Sequence, residues 1–258
     1  MKKISLLSVA LLLFILMPCS AFAAKMRTVH VTVALCDNVY QRIVPVPAKI
    51  GNGDDAANNL YWGAAYGVKS FMRKQAGWAM KPAPVPPESP IIERLVFTNK
   101  ALRTVIIADA YRGKAIRTAT VDFLYFAAGK KKETLTVDNE IVAAGGGADL
   151  VVYIGHNGLM DFSLSNFPKG ENNGNRQAAI FACRSKGYFE EAFRTANAYP
   201  LIWTRGNMAP EAYSLHALVT AWASGKSGAE VREAVAVAYD KYQKCGMKGA
   251  RGLFASGW

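Results

Sequence analysis

Two short runs place a nucleophile and a base at the same kind of position. In "LVVYIGHNG" (Leu150 to Gly158) an apolar stretch ends at His156, set between glycines. In "AAIFACRSKGYF" (Ala178 to Phe189) another apolar stretch ends at Cys183, with Arg184 and Lys186 just behind it. A thiol beside an imidazole is a pair for acyl transfer. The sulfur attacks a carbonyl, the ring carries the proton, and backbone N–H groups hold the oxyanion. Two cations and a following helix N-terminus add positive potential beside such a thiol. Each residue also has an inert reading. Cys183 can be a buried small hydrophobe or half of a disulfide, and His156 a structural ring bonded to a loop carbonyl.

The remaining thiols and imidazoles qualify this pair. Beyond the leader the chain keeps Cys36, Cys183 and Cys245. Three is odd, so at most one intrachain disulfide forms and one thiol is left over. A Cys36–Cys183 bridge would hide the nucleophile or act as a redox switch. Cys245 continues the apolar face of a helix and reads as a core thiol. His30 reads as one of the alternating side chains of a strand, and His216 as a helical residue beside an apolar stripe. Both are read as structural.

Positioning these groups requires strands that end together. "RTVHVTVAL" (Arg27 to Leu35) alternates and is β-branched, which predicts a first strand. "IERLVF" and "RTVIIADA" predict two more, and "YPLIWT" a late one. "DLVVYIG" and "AAIFAC" are near-continuous apolar runs, the pattern of strands buried on both faces of a parallel sheet. Between them lie helical patterns: Leu60 to Gln75, capped by Asn58 or Asn59; Lys114 to Gly129; "YFEEAFRTAN"; one from near Pro210; and one opened by a Ser227/Glu230 capping box. In the first, Gly63 and Gly67 would let the helix approach the sheet, with Tyr61, Trp62 and Tyr66 as core; the alternative reading of these aromatics is a glycan or peptide platform. "ETLTV" reads as a short strand and "KPAPVPPESP" as a Pro-rich excursion.

The expected fold class is α/β, a mostly parallel sheet with helices on both faces. In such sheets ligands sit beyond the carboxyl ends of the strands. Cys36-Asp37-Asn38, "DAYRG", "GHNG", "CRSKGYF" and "TRGN" each follow a predicted strand. Charged and reactive side chains therefore gather at one edge.

The order strand–His–Gly, then strand–Ala–Cys, resembles the caspase-like cysteine peptidases, the group of caspases, metacaspases, legumains and gingipains. "LVVYIGHNG" is similar to the first element and "AAIFACRS" to the second. Ala182-Cys183-Arg184 is similar to the caspase pentapeptide, with Phe181 and Ser185 in place of its Gln and last Gly. The likeness would extend over Arg27 to Thr204, though its specific motifs are these two segments. It implies a caspase-like three-layer sandwich, with His156 as general base and Cys183 as nucleophile. It also implies oxyanion donors at Asn157 and Gly158, although Asn157 stands where the family has Gly directly after the His. The connector of 27 positions from His156 to Cys183 is short for the family. In that fold the end of the first strand borders the primary specificity pocket. Asp37 there implies a preference for Arg or Lys before the scissile bond, with Arg184 beside the substrate.

Composition sets the outer bounds. With 258 residues, 51% of them hydrophobic, the chain can bury a full core, and residues 24–258 read as a single domain. Lys2 and Lys3, the apolar run Leu6 to Met17 and Ala21-Phe22-Ala23 predict a signal peptide over residues 1–23. The expected product is exported, periplasmic or secreted, with no transmembrane segment after cleavage. The leader carries two of the 31 Lys and Arg and none of the 19 Asp and Glu, so the mature charge is +10. These cations are scattered, which argues for a solvated surface and against a nucleic-acid partner. "SGKSG" lacks the upstream glycine of a phosphate loop, "GNGDDAANN" has no EF-hand spacing, and there is no His pair at metal spacing and no G-x-S-x-G. Neither cofactor nor metal is expected. The reading is an exported cysteine endopeptidase acting on peptide or protein. The alternative is a non-catalytic binding module in which Arg112, Arg184 and Arg205 anchor an anionic ligand.

Overall fold

A computed structural model describes residues 25–85, 87–171 and 176–258. The expected signal peptide, residues 1–23, lies outside the described residues. The chain opens with β1 (Arg27–Ala34), and a long loop leads to α1 (Val68–Met72). Next come β2 (Ala79–Ala83), β3 (Ile91–Asn99), β4 (Thr104–Tyr111) and α2 (Ile116–Ala127). A hairpin of β5 (Lys132–Val137) and β6 (Glu140–Gly145) precedes β7 (Leu150–Gly155). Then β8 (Arg176–Phe181), α3 (Ser185–Ala196) and β9 (Ala198–Thr204) form a crossover unit. α4 (Ala212–Ala223), α5 (Gly228–Gln243), α6 (Met247–Leu253) and β10 (Phe254–Ala255) follow.

The main sheet has the order β10-β9-β8-β7-β1-β4-β3-β2. The five strands from β9 to β4 run parallel, while β10, β3 and β2 are antiparallel additions at the two edges. Every residue of β4 and β7 is buried: helices cover both faces of β7, while β4 has helices on one face and the β5–β6 hairpin on the other, against Val105 and Ile107. α2 and α3 pack on one face against Val151, Tyr153, Ala178 and Ile180. α1, α4 and α5 pack on the other, against Val29, Val31, Val152 and Leu201. The architecture is therefore an α/β sandwich of three layers around a mostly parallel sheet. Chain order places β4 on one side of β1 and β7 on the other. The carboxyl edge at β1 and β7 is thus the switch point where open α/β sheets hold ligands. Among the described residues, no helix is long and apolar enough to cross a membrane.

Some elements differ from the sequence pattern for local reasons. The helix expected over residues 60–75 is confined to α1. Gly63 packs against the Ala56 and Ala57 carbonyls and Gly67 against the Trp62 backbone, so the segment folds on itself rather than lying along the sheet. Trp62 and Tyr61 are buried, but Tyr66 is exposed. Asn59 is no helix cap. Its side chain bonds both the N–H and the carbonyl of Cys36, pinning the loop after β1. Cys245 is exposed rather than core. α5 ends at Gln243, and Lys244 adopts left-handed backbone (φ 54°) that turns the chain away from the helical face. The Pro-rich stretch contributes β2, an edge strand that tolerates Pro82.

Candidate active site

Cys183 stands on a sharp turn between β8 and α3. Arg184 holds left-handed backbone at φ 51°, which costs energy for a residue with a Cβ and needs support from its surroundings. That support comes from the end of β9. The Thr204 hydroxyl donates to the Ala182 carbonyl and accepts the Ser185 N–H at 3.1 Å. The Ser185 hydroxyl accepts the Thr204 N–H at 2.9 Å, and the Arg184 N–H donates to the Gly206 carbonyl at 2.8 Å. Ser185 and Thr204 are fully buried, so this clamp is shielded from water. The sulfur is half-exposed and is bracketed by one backbone unit. It accepts the Met208 N–H at 3.4 Å and lies 3.5 Å from the Met208 carbonyl.

His156 follows β7 through Gly155, whose φ is 138°. A Cβ there would come within 2.6 Å of the Ala34 carbonyl oxygen, so the turn requires glycine. The ring is largely buried, and its Nε2 lies 2.9 Å from Asp161 Oδ1. The other oxygen of Asp161 accepts the Arg42 N–H at 3.1 Å. Asp161 thus joins the histidine to the loop after β1. Asn157 is fully buried. Its amide donates to the Cys183 carbonyl at 2.8 Å, and its oxygen accepts the Leu159 N–H at 3.0 Å.

His156 and Cys183 both line one cavity of about 300 Å³. Its other walls come from the loop after β1, from Tyr61, and from Asn207 to Pro210 beyond β9. Tyr61 is buried and shares a hydrogen bond with Cys36. Burial pushes the Cys36 thiol up to about 11, against the smaller opposing effect of that bond. Cys36, Cys183 and Cys245 are all free thiols.

The other residues singled out from sequence sit around this centre unequally. Asp37 is buried, and its Oδ1 accepts the Val39 and Tyr40 N–H groups at 2.8 and 3.1 Å. It closes its own turn, packs against Gly53 and Gly113, and does not line the cavity. Arg184 is exposed, with its Nε 3.1 Å from Asn207 Oδ1. Gly158 opens a short 3-10 turn, Gly158–Met160, and packs against the Thr120 hydroxyl. Arg112 pairs with Asp54 at 2.5 Å, while Arg205 donates to the Phe254 carbonyl at 3.0 Å. The three arginines are therefore engaged separately. His30 is fully buried, 3.2 Å from Asp109, and its Nδ1 accepts the Gly145 N–H. Among the described residues, no cluster of three metal-ligating side chains occurs.

Asp161, Met208 and Arg42 are the participants that the sequence pattern did not single out, and Tyr61, read there as a core aromatic, is a wall residue it did not assign to the site. Asp161 had one usable signal, an acid five positions past the histidine in a connector with few charges. The Gly158–Met160 turn carries it back onto the ring. Comparison of the chain with protein-family models, curated proteins and solved structures finds no match.

Proposed function

We propose that this protein is a cysteine hydrolase of peptide bonds, acting after export. Cys183 is the nucleophile, His156 the general base and Asp161 the carboxylate that orients the ring. One observation carries the reading: His156 and Cys183 end adjacent parallel strands and line one cavity, with a carboxylate 2.9 Å behind the imidazole. Asp161 occupies Nε2, which leaves Nδ1 to carry the proton. In the first step the sulfur bonds to the substrate carbonyl carbon and its proton passes to Nδ1. The C–N bond then breaks as that proton is given to the departing amine. Water hydrolyses the resulting thioester by the reverse use of the ring. The Gly158 N–H, first in its turn and so without a partner inside it, is the proposed oxyanion donor with that of Asn157.

The caspase-like resemblance of the two motifs supports this assignment. So does the sheet, with the His strand and the Cys strand side by side among five parallel strands. Asp37 has no part in the proposal, since its carboxylate serves its own loop. The test is hydrolysis of a fluorogenic peptide library by the mature protein and by Cys183→Ala and His156→Ala. Loss of turnover in both variants, with unchanged circular dichroism, supports the reading. Turnover that survives Cys183→Ala overturns it. A non-catalytic binding module would instead show no thiol-dependent turnover and would keep its ligand in Cys183→Ala.

A further inference from the structure

The cavity beside Cys183 is walled mainly by Ile43, Val46, Tyr61, Met160, Met208 and Pro210, with His156, Arg42 and Asn207, whose amide oxygen accepts from Arg184 Nε, as its other polar side chains. The one hydroxyl in that set, on Tyr61, is already engaged with Cys36. At about 300 Å³ the cavity is at the small end for ligand sites, enough for one large side chain. Its lip is apolar as well. Val44 lines the opening while 88% exposed, and Val39 and Tyr40 on the same loop are 78% and 60% exposed. Apolar groups held in water beside the opening of a cavity mark a contact surface.

Charge argues in the same direction. The two acids nearest to this loop are both committed. Asp37 accepts two N–H groups of its own turn, and Asp161 accepts the Arg42 N–H with one oxygen and lies 2.9 Å from His156 Nε2 with the other. A buried Lys or Arg side chain of a substrate would find no counterion. The charged side chain at the wall, Arg42, has the same sign and is exposed. Its exposure also weakens any pairing with a substrate carboxylate, because ion pairs in water contribute little.

We infer that this cavity takes an apolar side chain, so that the substrates are peptides with Leu, Met or Phe on the acyl side of the cleaved bond. The inference rests on the thiol hydrolase reading of the same site. It replaces the basic preference that Asp37 had implied.

Peptidyl chloromethyl ketones that differ only in the residue next to the electrophile test it. Leu, Phe, Lys and Asp reagents are compared by their rate of Cys183 labelling, read by intact mass. The Leu and Phe reagents are expected to label at least about 10-fold faster than Lys or Asp, the scale on which an apolar pocket discriminates. In Val46→Asp the Lys reagent should gain roughly 10-fold and the Leu reagent should slow. Equal rates, or a lead for Lys or Asp in the wild-type protein, overturn the inference, and this ranking decides even if Val46→Asp fails to fold. Failure of the parent reading shows elsewhere. Iodoacetamide would then alkylate Cys183 at the same rate in wild type and His156→Ala, whatever the reagent ranking.

Discussion

The side-chain amide of Asn157 donates to the carbonyl of Cys183 at 2.8 Å. The loop that carries His156 is thereby fastened to Cys183. Both ends of the Asn157 side chain are used, and the residue is fully buried. Asn157→Ala leaves the Cys183 carbonyl and the Leu159 N–H without these partners. Each lost buried partner costs about 1–3 kcal/mol. A loosened pair should also lose on the order of 10²-fold in kcat/KM. Denaturant unfolding and peptide hydrolysis measure the two effects. An Asn157→Ala variant with wild-type stability would show that the clasp carries no load.

Asp161 lies 2.9 Å from the His156 ring, which makes it a positioning residue in the proposed mechanism. Asp161→Asn keeps the shape and removes the charge. Expected is a fall of kcat by about 10²–10⁴-fold, the usual range for general base catalysis, with little change in KM. Asp161→Glu should recover part of the loss. If Asp161→Asn changed KM and left kcat intact, Asp161 would be shaping the Arg42 loop rather than the histidine.

The two cysteines near Tyr61 should behave differently. Burial pushes Cys36 up to about 11, so at pH 8 it is a protonated, inaccessible thiol. Iodoacetamide at pH 8 should modify Cys183 and the exposed Cys245 and spare Cys36 until the protein is unfolded. Labelling of Cys36 should grow only as pH approaches 11. A non-reduced peptide map that contained a Cys36–Cys183 bridge would contradict this assignment and would rule out a permanently active enzyme.

Beneath the β5–β6 hairpin, Asp109 receives both Nε and Nη2 of Arg94 at 2.6 Å and lies 3.2 Å from His30. Burial alone would push this carboxyl up, but the bonds from Arg94 and His30 outweigh burial and hold it below the ordinary carboxylate range. A carboxylate lowered in the native state contributes stability above its unfolded pKa and loses it as pH falls through the native one. Stability should therefore decline below about pH 4, the ordinary carboxylate range, and less steeply in Asp109→Asn. At neutral pH that variant should lose about 1–3 kcal/mol, because buried Arg94 gives up its two bonds to a carboxylate and keeps only the pairing of its Nη1 with Glu133 at 3.1 Å. Urea unfolding between pH 3 and 7 gives both numbers. Parallel pH curves for the two proteins would remove Asp109 from the account.

The sheet was legible because its strands carry two-sided burial in their composition. β7 and β8 read as apolar runs, and α5 announced itself through the Ser227/Glu230 capping box, which forms with both of its bonds. The order of His156 and Cys183 along the chain, with one strand before each, was enough to bring them to one edge. Other features had no local signature. α1 is short because Gly63 and Gly67 pack on carbonyls that lie apart from them in any helical pattern. β10 depends on a partner, β9, that lies far from it in the sequence. Asp37 stood at the right strand end, but its side chain turned to its own backbone, a choice that residue type leaves open. Asp161 had only its place in a sparsely charged connector to mark it, and the 3-10 turn is what brings it against His156.

The central claim is that Cys183 becomes acylated with help from His156. The direct measurement is intact mass spectrometry of residues 24–258 mixed with an activated peptide ester that ends in Leu. The account predicts a single added acyl group, mapped to Cys183, that decays by hydrolysis, forms far more slowly in His156→Ala and is absent in Cys183→Ala. An acyl group found on another residue, or one on Cys183 that forms equally fast without His156, would contradict it.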